Sequence, residues 1–385
     1  MRVAMVGPFG LRTRGTMWRR ALPLGRALAR RGHRVTLIVP PWDSPADSGQ
    51  AWEDRGVRVV NVRLGNSGLM TARLLREILA ARPEVVHVFK PIAFSGFVTL
   101  ALYLVRRQGL WRGRLVLDAD DWEGSGGWID RAGYPMLVRW LFAWQETWGL
   151  RHADALTVAS RWLAVQARML GARQITHVPN GVDLADWPRR SQYANNPPAA
   201  LLLTRFIEFP PAQLVDIWAG VHHRLPEATL IVAGGALRGE VRLAQLLMEA
   251  GLPTARVRWQ GFLPYTVLPS LCAKAEVALF PARASRLNRA KCPTRLADVM
   301  AAGLPVIAHR VGEHETYVVH QETGLLISPG DDAAMSEAIL SLLKDRPRAE
   351  RMGQAARQRI ADHFTWDRLA SRVEEVYLSL ASQAR

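Results

Sequence analysis

Cysteine is scarce in this chain. Cys272 and Cys292 are the two cysteines among 385 residues. They form neither a disulfide framework nor the closely spaced ligand pattern of a structural zinc site. The scarcity therefore argues against a disulfide-stapled domain and a zinc module, and it fits a reducing cytoplasm.

Long apolar runs are also missing. The sequence contains no uninterrupted apolar stretch of about 18 residues, the minimum for a transmembrane helix, so no membrane span is expected. The first residues, MRVAMVGPFG, predict a strand that runs into a loop. They lack the apolar core and the small-residue cleavage site of a signal peptide. We expect a cytoplasmic location, with any membrane contact peripheral and at the inner face.

Acidic residues are outnumbered by basic ones. Thirty-four Asp and Glu face 50 Lys and Arg, and the formal net charge is +16. A basic surface attracts phosphates, anionic lipids or nucleic acid. We expect no nucleic-acid partner, because the chain carries no zinc-finger, RRM or KH signature and its basic residues are spread along its length.

Strands and helices alternate in two series. Arg2–Val6 and Val85–Phe89 predict strands of the first series, and Ala200–Leu203 predicts the first strand of the second. A polar, proline-containing segment, residues 187–198, predicts a linker between the series. This alternation predicts an α/β fold with two Rossmann-like domains facing a cleft, each built on a parallel sheet. Ligands of such sheets bind beyond the carboxyl ends of the strands.

The stretch from Asn288 to Asp332 is the most informative. It predicts a helix that opens at Pro293 and closes at Gly303, followed by the buried strand 305–308. Four basic residues lie close to the helix start: Arg286, Arg289, Lys291 and Arg295. A helix N-terminus surrounded by cations is an anion site, most simply for phosphate, although an arginine-rich structural unit is an equally good explanation on local grounds.

The order of these segments resembles the donor-binding half of the retaining GT-B glycosyltransferases of family GT4. The resemblance rests on Ala-Ala-Gly-Leu-Pro-Val-Ile-Ala at 301–308, Val-Gly-Glu at 311–313 and Glu-Thr-Gly-Leu-Leu-Ile-Ser-Pro-Gly-Asp at 322–331. Pro-Asn-Gly-Val-Asp at 179–183 resembles the interdomain hinge of that family, and Phe-Thr-Trp-Asp at 364–367 its C-terminal segment. The resemblance implies an acceptor-side domain over 1–185, a nucleotide-sugar-binding domain over 186–363, and a C-terminal helix over 364–385 that returns to the first domain.

The resemblance also implies an activity and a set of site residues. The activity is transfer of a sugar from a nucleotide-diphosphate sugar to a hydroxyl acceptor: a glycan, a lipid-linked acceptor or a small molecule. The implied catalytic residues are Asp120, near the family's catalytic histidine, and Arg205 and Lys291 at the diphosphate. The positions implied to bind the donor are Gly15, Thr16, Thr204, Gly234, Gly235, Phe262, Asn288, Cys292, Pro293, Thr294, Arg295 and Asp298.

Three positions depart from the family's pattern. Ala290 stands where the family has the first of two glutamates, and Asp298 replaces the second. Pro210 stands near the place of an expected lysine. These departures motivate two alternatives: a catalytically inactive GT-B protein that binds sugar nucleotides or a partner, and a nucleotide-sugar epimerase of the same fold.

Carboxylates are concentrated after a predicted strand of the first series. Asp118, Asp121 and Trp122 surround Asp120 there and are acceptor-side candidates. His87 and Lys90, at the end of another predicted strand, are further acceptor-side candidates, although a lone histidine is more often structural. The carboxylates suit either a metal ion or the hydroxyls of an acceptor. We favour the acceptor and expect no metal cofactor, because GT-B enzymes generally offset the leaving diphosphate with cations and a helix dipole.

A predicted helix carries tryptophans on one face. Trp140, Trp144 and Trp148 follow at intervals of four residues. Packing into the core is the favoured interpretation. The alternative is contact with an anionic membrane, because Arg139 and Arg151 flank the stripe.

Overall fold

The structure, a computed structural model, describes every residue except 13, 190–196, 235–236 and 384–385. Gly235 and most of the predicted linker therefore lie outside the described residues. The chain divides into two compact units. The first comprises Met1–Gly181, Ala290–Cys292 and Trp366–Arg385, and the second comprises Val182–Arg289 and Pro293–Thr365.

The first unit is built on an eight-stranded sheet. Its strands are β1 (Arg2–Val6), β2 (Arg34–Val39), β3 (Ala51–Asp54), β4 (Val57–Asn61), β5 (Val85–Phe89), β6 (Arg114–Ala119), β7 (Ala155–Val158) and β8 (Ile175–His177). They follow the order β3-β4-β2-β1-β5-β6-β7-β8. All pairs are parallel except β3 with β4. The apolar strand residues are buried on both sheet faces, as parallel strands covered by helices require.

Helices cover this sheet. They are α1 (Leu22–Arg30), α2 (Ser67–Ala80), α3 (Ala93–Arg107), α4 (Met136–His152) and α5 (Arg161–Met169). One π-helical turn, Met17–Ala21, runs directly into α1, so residues 17–30 form one continuous helical segment.

The second unit contains a six-stranded sheet in which every pair is parallel. Its strands are β9 (Ala199–Leu203), β10 (Thr229–Ala233), β11 (Val257–Gly261), β12 (Val277–Phe280), β13 (Val306–His309) and β14 (Gly324–Ile327), in the order β11-β10-β9-β12-β13-β14. Its helices are α6 (Pro211–His222), α7 (Leu237–Glu249), α8 (Leu268–Cys272), α9 (Arg286–Ala290), α10 (Thr294–Ala301), α11 (His314–Tyr317), α12 (Asp332–Lys344) and α13 (Arg346–His363); the last residue of α9, Ala290, belongs to the first unit. Two units with parallel sheets confirm the predicted fold class.

The C-terminal helix α14 (Trp366–Ser382) belongs to the first unit, as predicted. Its buried face, including Leu369 and Val373, packs into the core formed with α1. Ion pairs Arg30–Asp367 and Arg31–Glu374 join the two helices at their exposed margins.

Three local predictions were wrong or incomplete. The sequence did not predict β3, which joins β4 through Arg55 and Gly56, both with positive φ. Such a two-residue turn usually contains Asn-Gly or Asp-Gly, and Arg-Gly is a weak signal for it. Trp187 is not part of a linker, because it is fully buried and its Nε1 donates to the Tyr265 hydroxyl at 2.9 Å. The sequence predicts helix over 333–385 with one break at 364–366, and the structure has a further break at Asp345, whose side chain caps α13.

His87 belongs to the interior of the first unit. It is fully buried in β5; Nδ1 lies 2.6 Å from the Tyr377 hydroxyl of α14, and Nε2 lies 3.0 Å from Oγ1 of Thr157 in β7. Its ring stacks on that of Phe89 at 4.6 Å. The prediction that His87 contacts an acceptor is therefore wrong, because both ring nitrogens are engaged inside the sheet.

Burial, reinforced by the positive charge of Arg20, lowers the pKa of His87 to about 3. A histidine in an unfolded chain has a pKa of about 6.5. The folded protein therefore binds fewer protons than the unfolded chain below pH 6.5. The stabilising contribution of neutral His87 is fully present above pH 6.5 and is lost as the pH falls toward 3.

We predict that His87→Gln, which cannot gain a proton, weakens this acid sensitivity. Between pH 6 and pH 4 the free energy of unfolding of the wild type should fall relative to that of the variant by about 1 kcal/mol per pH unit. Urea unfolding at a series of pH values measures the difference. His223→Gln, at an exposed position of the second unit, is the control and should keep the wild-type slope. Parallel curves for wild type and His87→Gln would contradict the assignment.

Candidate active site

A buried ion pair lies at the centre of the first unit. Arg20, in the π-helical turn, donates from Nε and Nη2 to the two carboxylate oxygens of Asp118 in β6, both at 2.7 Å. Both side chains are almost completely buried. Burial by itself would lower the pKa of Arg20, but the charge of Asp118 outweighs burial and raises it, so the guanidinium stays protonated.

Asp118 is therefore a structural residue. Its Oδ2 also accepts a hydrogen bond from the Thr157 hydroxyl at 2.5 Å, and its side chain has no exposed surface. The prediction that Asp118 contacts an acceptor is wrong, because strand β6 points this carboxylate into the sheet interior, toward Arg20.

The next carboxylates along the chain surround an ammonium group. Nζ of Lys90 lies 3.4 Å from Oδ1 of Asp120, 3.2 Å from Oδ2 of Asp121, and within hydrogen-bond distance of Oε1 of Glu123. These four residues are called the Lys90 cluster below. The structure thus brings Lys90 together with the candidate residues Asp120 and Asp121, and it adds Glu123, which the sequence reasoning missed although it continues the same acidic run.

The Lys90 cluster is charged and strained. Burial lowers the pKa of Lys90, but Asp120, Glu123 and Asp121 together raise it well above its usual range. Lys90 also has a φ of 52°, which is uncommon for a residue with a side chain. Such strain persists where the surroundings fix the residue, and it concentrates at functional sites. One ammonium faces three carboxylates, so the cluster keeps an excess of negative charge.

Asp120 has one oxygen held and one oxygen without a hydrogen-bond donor. The hydroxyl of Thr16 donates to Oδ2 at 2.6 Å. Among the described residues, none donates a hydrogen bond to Oδ1, which lies 3.4 Å from Nζ of Lys90 and is buried. Thr16 and Asp120, predicted respectively for donor binding and for catalysis, are thus direct neighbours.

Gly15, also predicted for donor binding, has open space beside it, because an added methyl group there would meet no described atom within 4 Å.

Glu146 fixes the loop that carries Glu123. This α4 residue is fully buried, and its two carboxylate oxygens accept hydrogen bonds from the backbone N–H groups of Glu123 at 3.0 Å and Gly124 at 2.8 Å. Burial, followed by the charge of Glu123, raises the pKa of Glu146 to about 8. Sequence reasoning missed Glu146 because it lies in a helix whose tryptophans dominate the pattern. Trp122, in the same loop, packs edge-on against Trp162 at 5.6 Å.

The opposite face of α4 is apolar and exposed. Met136 is 81% exposed, Leu137 79%, Trp140 66% and Trp144 37%. These four residues are called the exposed α4 face below. The favoured interpretation of the tryptophan stripe as core is wrong for Trp140 and Trp144, because the side of α4 that packs inward carries Gln145, Glu146, Gly149 and Leu150 instead. Among the described residues, no helix is long and apolar enough to cross a membrane.

Lys291 and Cys292 belong to the first unit. The backbone N–H of Asn180 donates to Sγ of Cys292 at 3.1 Å, and its side-chain amide donates to the Cys292 carbonyl at 2.7 Å. Nζ of Lys291 lies 5.8 Å from the ring centre of Trp128, a cation–π distance. Ala290 is fully buried in an apolar core cluster, so a glutamate at this position would be surrounded by apolar side chains.

In the second unit, several predicted donor residues meet beyond the carboxyl ends of β9 and β10. Gly234 has a φ of 144°, and a Cβ there would lie 1.8 Å from the Thr204 carbonyl oxygen and 3.1 Å from Nη1 of Arg295. Only glycine fits this close approach. Thr204 accepts the Phe206 N–H at 2.7 Å, and Arg205 beside it is exposed. The backbone of Gly234 and the guanidinium of Arg295 therefore adjoin the strand-end turn that carries Arg205.

The remaining donor predictions fall around α10. This helix begins at Thr294, with Pro293 as its cap residue. Asn288 donates both amide hydrogens to backbone carbonyls, of Glu208 at 2.7 Å and Arg283 at 2.9 Å, so it shapes the preceding loop.

Asp298 and Phe262 differ sharply in exposure. Asp298 is 1% exposed and accepts from the Tyr265 hydroxyl at 3.2 Å, whereas Phe262 is 79% exposed after β11. Their contacts with a donor stay predictions.

Known proteins resemble this chain in sequence and in fold. A family model described as "Glycosyl transferases group 1" matches residues 201–359, and one described as "Glycosyl transferase 4-like domain" matches residues 15–181. A glycogen synthase of Mycobacterium tuberculosis is 25% identical over 95% of this chain and 91% of its own length. A GDP-mannose-dependent alpha-(1-6)-phosphatidylinositol monomannoside mannosyltransferase of the same organism is 24% identical over 91% of each chain.

Solved structures show the same fold. The sucrose-phosphate synthase of Thermosynechococcus elongatus matches with a TM-score of 0.72 and 22% identity, over 99% of each chain. The Anabaena protein HepE in complex with UDP-glucose matches with a TM-score of 0.70 and 16% identity, over 98% of this chain and 99% of its own. The two family models together cover both units, and the chain belongs to the GT4 family of nucleotide-sugar-dependent glycosyltransferases.

Proposed function

We propose that the second unit binds the diphosphate of the donor at the strand-end turn formed by Thr204, Arg205 and Gly234, with Arg295 as a further cation. The observation that carries this proposal is the close approach of Gly234 to Thr204 and Arg295. A glycine has no side chain, so an anion can approach its backbone closely, and the neighbouring guanidinium groups can donate to several of the anion's oxygens. The carboxyl edge of a parallel sheet is also where ligands of such folds bind.

Stabilisation of the departing diphosphate is the dominant catalytic contribution in this proposal. Arginine presents a rigid fork of donors that matches phosphate oxygens, and a charge that is already in place need not reorganise during the reaction. In the family, retention is understood as attack from the face that the diphosphate leaves. This mechanism then does not require the pair of closely spaced carboxyl groups, one of them a nucleophile, that retaining glycosidases use.

Asp120 is proposed to orient the acceptor hydroxyl. Thr16 holds one of its oxygens, and the other accepts no hydrogen bond from the described residues. A hydroxyl that donates to this oxygen would give a buried acceptor a hydrogen bond in addition to its ion pair with Lys90. Lys90 limits the negative charge that would otherwise accumulate around Asp120.

We further propose that the acceptor is held at an anionic membrane. One relative named above acts, by its name, on a phosphatidylinositol monomannoside and another is a glycogen synthase, so the family accommodates both lipid and polymer acceptors. The exposed α4 face favours the first. Tryptophans beside exposed Arg131 and Arg139 suit the depth of lipid headgroups, and the net charge of +16 attracts an anionic surface.

An inactive binding protein and an epimerase are the alternatives that the sequence left open. The relatives named above are sugar transferases and lend neither alternative specific support. Incubation with UDP-, GDP-, ADP- and TDP-sugars, with and without acceptors, separates the three. Epimerisation needs no acceptor, an inactive protein gives no product, and a transferase gives product only with an acceptor or, slowly, by hydrolysis.

The diphosphate assignment predicts a specific loss on mutation. Arg205→Ala should weaken binding of the nucleoside diphosphate by about 1.5–3 kcal/mol, the value of a hydrogen bond to a charged group. Isothermal titration calorimetry with UDP, GDP and ADP measures the change. Arg258→Ala, which removes an exposed arginine of the same sheet, is the matched control and should bind like the wild type. Equal affinity of Arg205→Ala and wild type would show that the diphosphate binds elsewhere.

We propose that transfer needs no divalent metal, because arginines offset the leaving charge and Lys90 already neutralises part of the carboxylate charge of its cluster. Treatment with EDTA should therefore leave the rate of sugar transfer unchanged, and added magnesium or manganese should not increase it. A rate abolished by EDTA and restored by manganese would instead identify Asp120, Asp121 and Glu123 as metal ligands.

The membrane proposal predicts sedimentation with anionic vesicles. Binding should increase with the fraction of phosphatidylglycerol and decrease with salt, since each cation near the surface contributes roughly 1 kcal/mol. Replacing Leu137 and Trp140 together with serine should reduce binding severalfold. Met248→Ser, at an exposed apolar residue of α7, is the control. Wild-type protein that stays in the supernatant at low salt would direct the search to soluble acceptors.

A further inference from the structure

A continuous chain of buried hydrogen bonds runs from Arg20 to Cys292. Arg20 donates from Nη1 to the side-chain oxygen of Asn180 at 3.0 Å and from Nη2 to the carbonyl of Val178 at 2.9 Å. Asn180 in turn donates its amide hydrogen to the carbonyl of Cys292 at 2.7 Å and its backbone N–H to Sγ at 3.1 Å. All of these residues lie in the first unit and are buried.

Asparagine is chemically well matched to this position. Its amide oxygen accepts from the guanidinium while its amide nitrogen donates to a carbonyl, so one side chain joins two groups of opposite hydrogen-bonding character. Aspartate retains the acceptor for Arg20 but has no donor for Cys292. An aliphatic side chain would leave a buried carbonyl and a guanidinium hydrogen unsatisfied, at a cost comparable to a lost hydrogen bond.

These bonds constrain Lys291 from one side, and packing constrains it from the other. Cys292 is held through both its carbonyl and its sulfur, whereas Ala290 is embedded in the apolar core of the same unit. The backbone of the lysine between them therefore has fixed neighbours in both directions. Its ammonium group is left at a cation–π distance from Trp128.

We infer that Asn180 is a positioning residue, which transmits the fixed orientation of the Arg20–Asp118 ion pair to Lys291. The inference rests on the proposed function together with the expectation, implied by the family resemblance, that Lys291 is a further contact of the donor diphosphate. Asn180 itself need not touch the substrate. Its contribution is to hold the segment 290–292 in the conformation in which the Lys291 side chain is presented.

Thiol reactivity tests the positioning without reference to activity. In a Cys272→Ala background, Cys292 is the remaining thiol, and iodoacetamide should label it slowly because it is buried. Asn180→Ala should accelerate labelling about tenfold, the effect of losing one hydrogen bond. Asn61→Ala, which truncates a buried asparagine elsewhere in the same unit, is the matched control and should leave the rate unchanged. An unchanged labelling rate in Asn180→Ala would overturn the inference.

A double-mutant cycle separates positioning from general loss of structure. Calorimetric titration with UDP, GDP and ADP should show a Kd raised about tenfold in Asn180→Ala, the scale of one hydrogen bond. In a Lys291→Met background the same substitution should have almost no further effect, because the residue being positioned is gone. An undiminished effect of Asn180→Ala in that background would refute the inference.

A substitute variant and a measurement on the wild type distinguish failure of this inference from failure of the proposed function. Asn180→Asp, which preserves the acceptor for Arg20 and removes the donor to Cys292, replaces the alanine variant if the latter does not fold. Wild-type protein that binds none of the three diphosphates would refute the proposed function, whereas the labelling rates would still decide whether Asn180 holds the segment.

Discussion

The buried ion pair between Arg20 and Asp118 is the interaction on which most of the first unit depends. Burying two charges is expensive, and the geometry compensates with a bidentate contact and with further partners for the remaining donors and acceptors. Removal of one partner from such a pair typically costs about 3–5 kcal/mol. From Asp118 the network continues through Thr157 and His87 to α14, and from Arg20 it continues in the other direction to the segment that contains Lys291.

Asp118 and Asp120 illustrate how two residues of one acidic run acquire different roles. Asp118 lies within β6 and points to Arg20, whereas Asp120 lies just beyond the end of the strand, beside Thr16 and Lys90. The first carboxylate is neutralised by its partner. The second keeps an oxygen to which no described residue donates a hydrogen bond, although Nζ of Lys90 lies 3.4 Å away. The two aspartates are close in sequence, and they have different surroundings because strand β6 ends between them.

The features that could be predicted from sequence are those set by local pattern. Apolar runs predict β1 and β5 with their observed bounds, and the glycine at 303 follows the helix end as its positive φ requires. Features set by distant partners could not be predicted. His87 is buried because α14 returns to cover it, and Trp140 is exposed because Gln145 and Glu146 take the inward side of α4. In both cases tertiary contacts decided which face was buried.

Helix α4 connects the two halves of the proposed acceptor site. Its inner face holds the loop of Glu123 and Gly124 through Glu146, and that loop completes the Lys90 cluster beside Asp120. Its outer face presents Trp140 and its apolar neighbours. An amphiphilic acceptor has the same two parts, a polar headgroup that carries the reacting hydroxyl and an apolar body that stays in the membrane. One helix therefore carries both surfaces, and the two hydrogen bonds of Glu146 connect the helix that bears the proposed membrane contact to the loop that completes the proposed acceptor site.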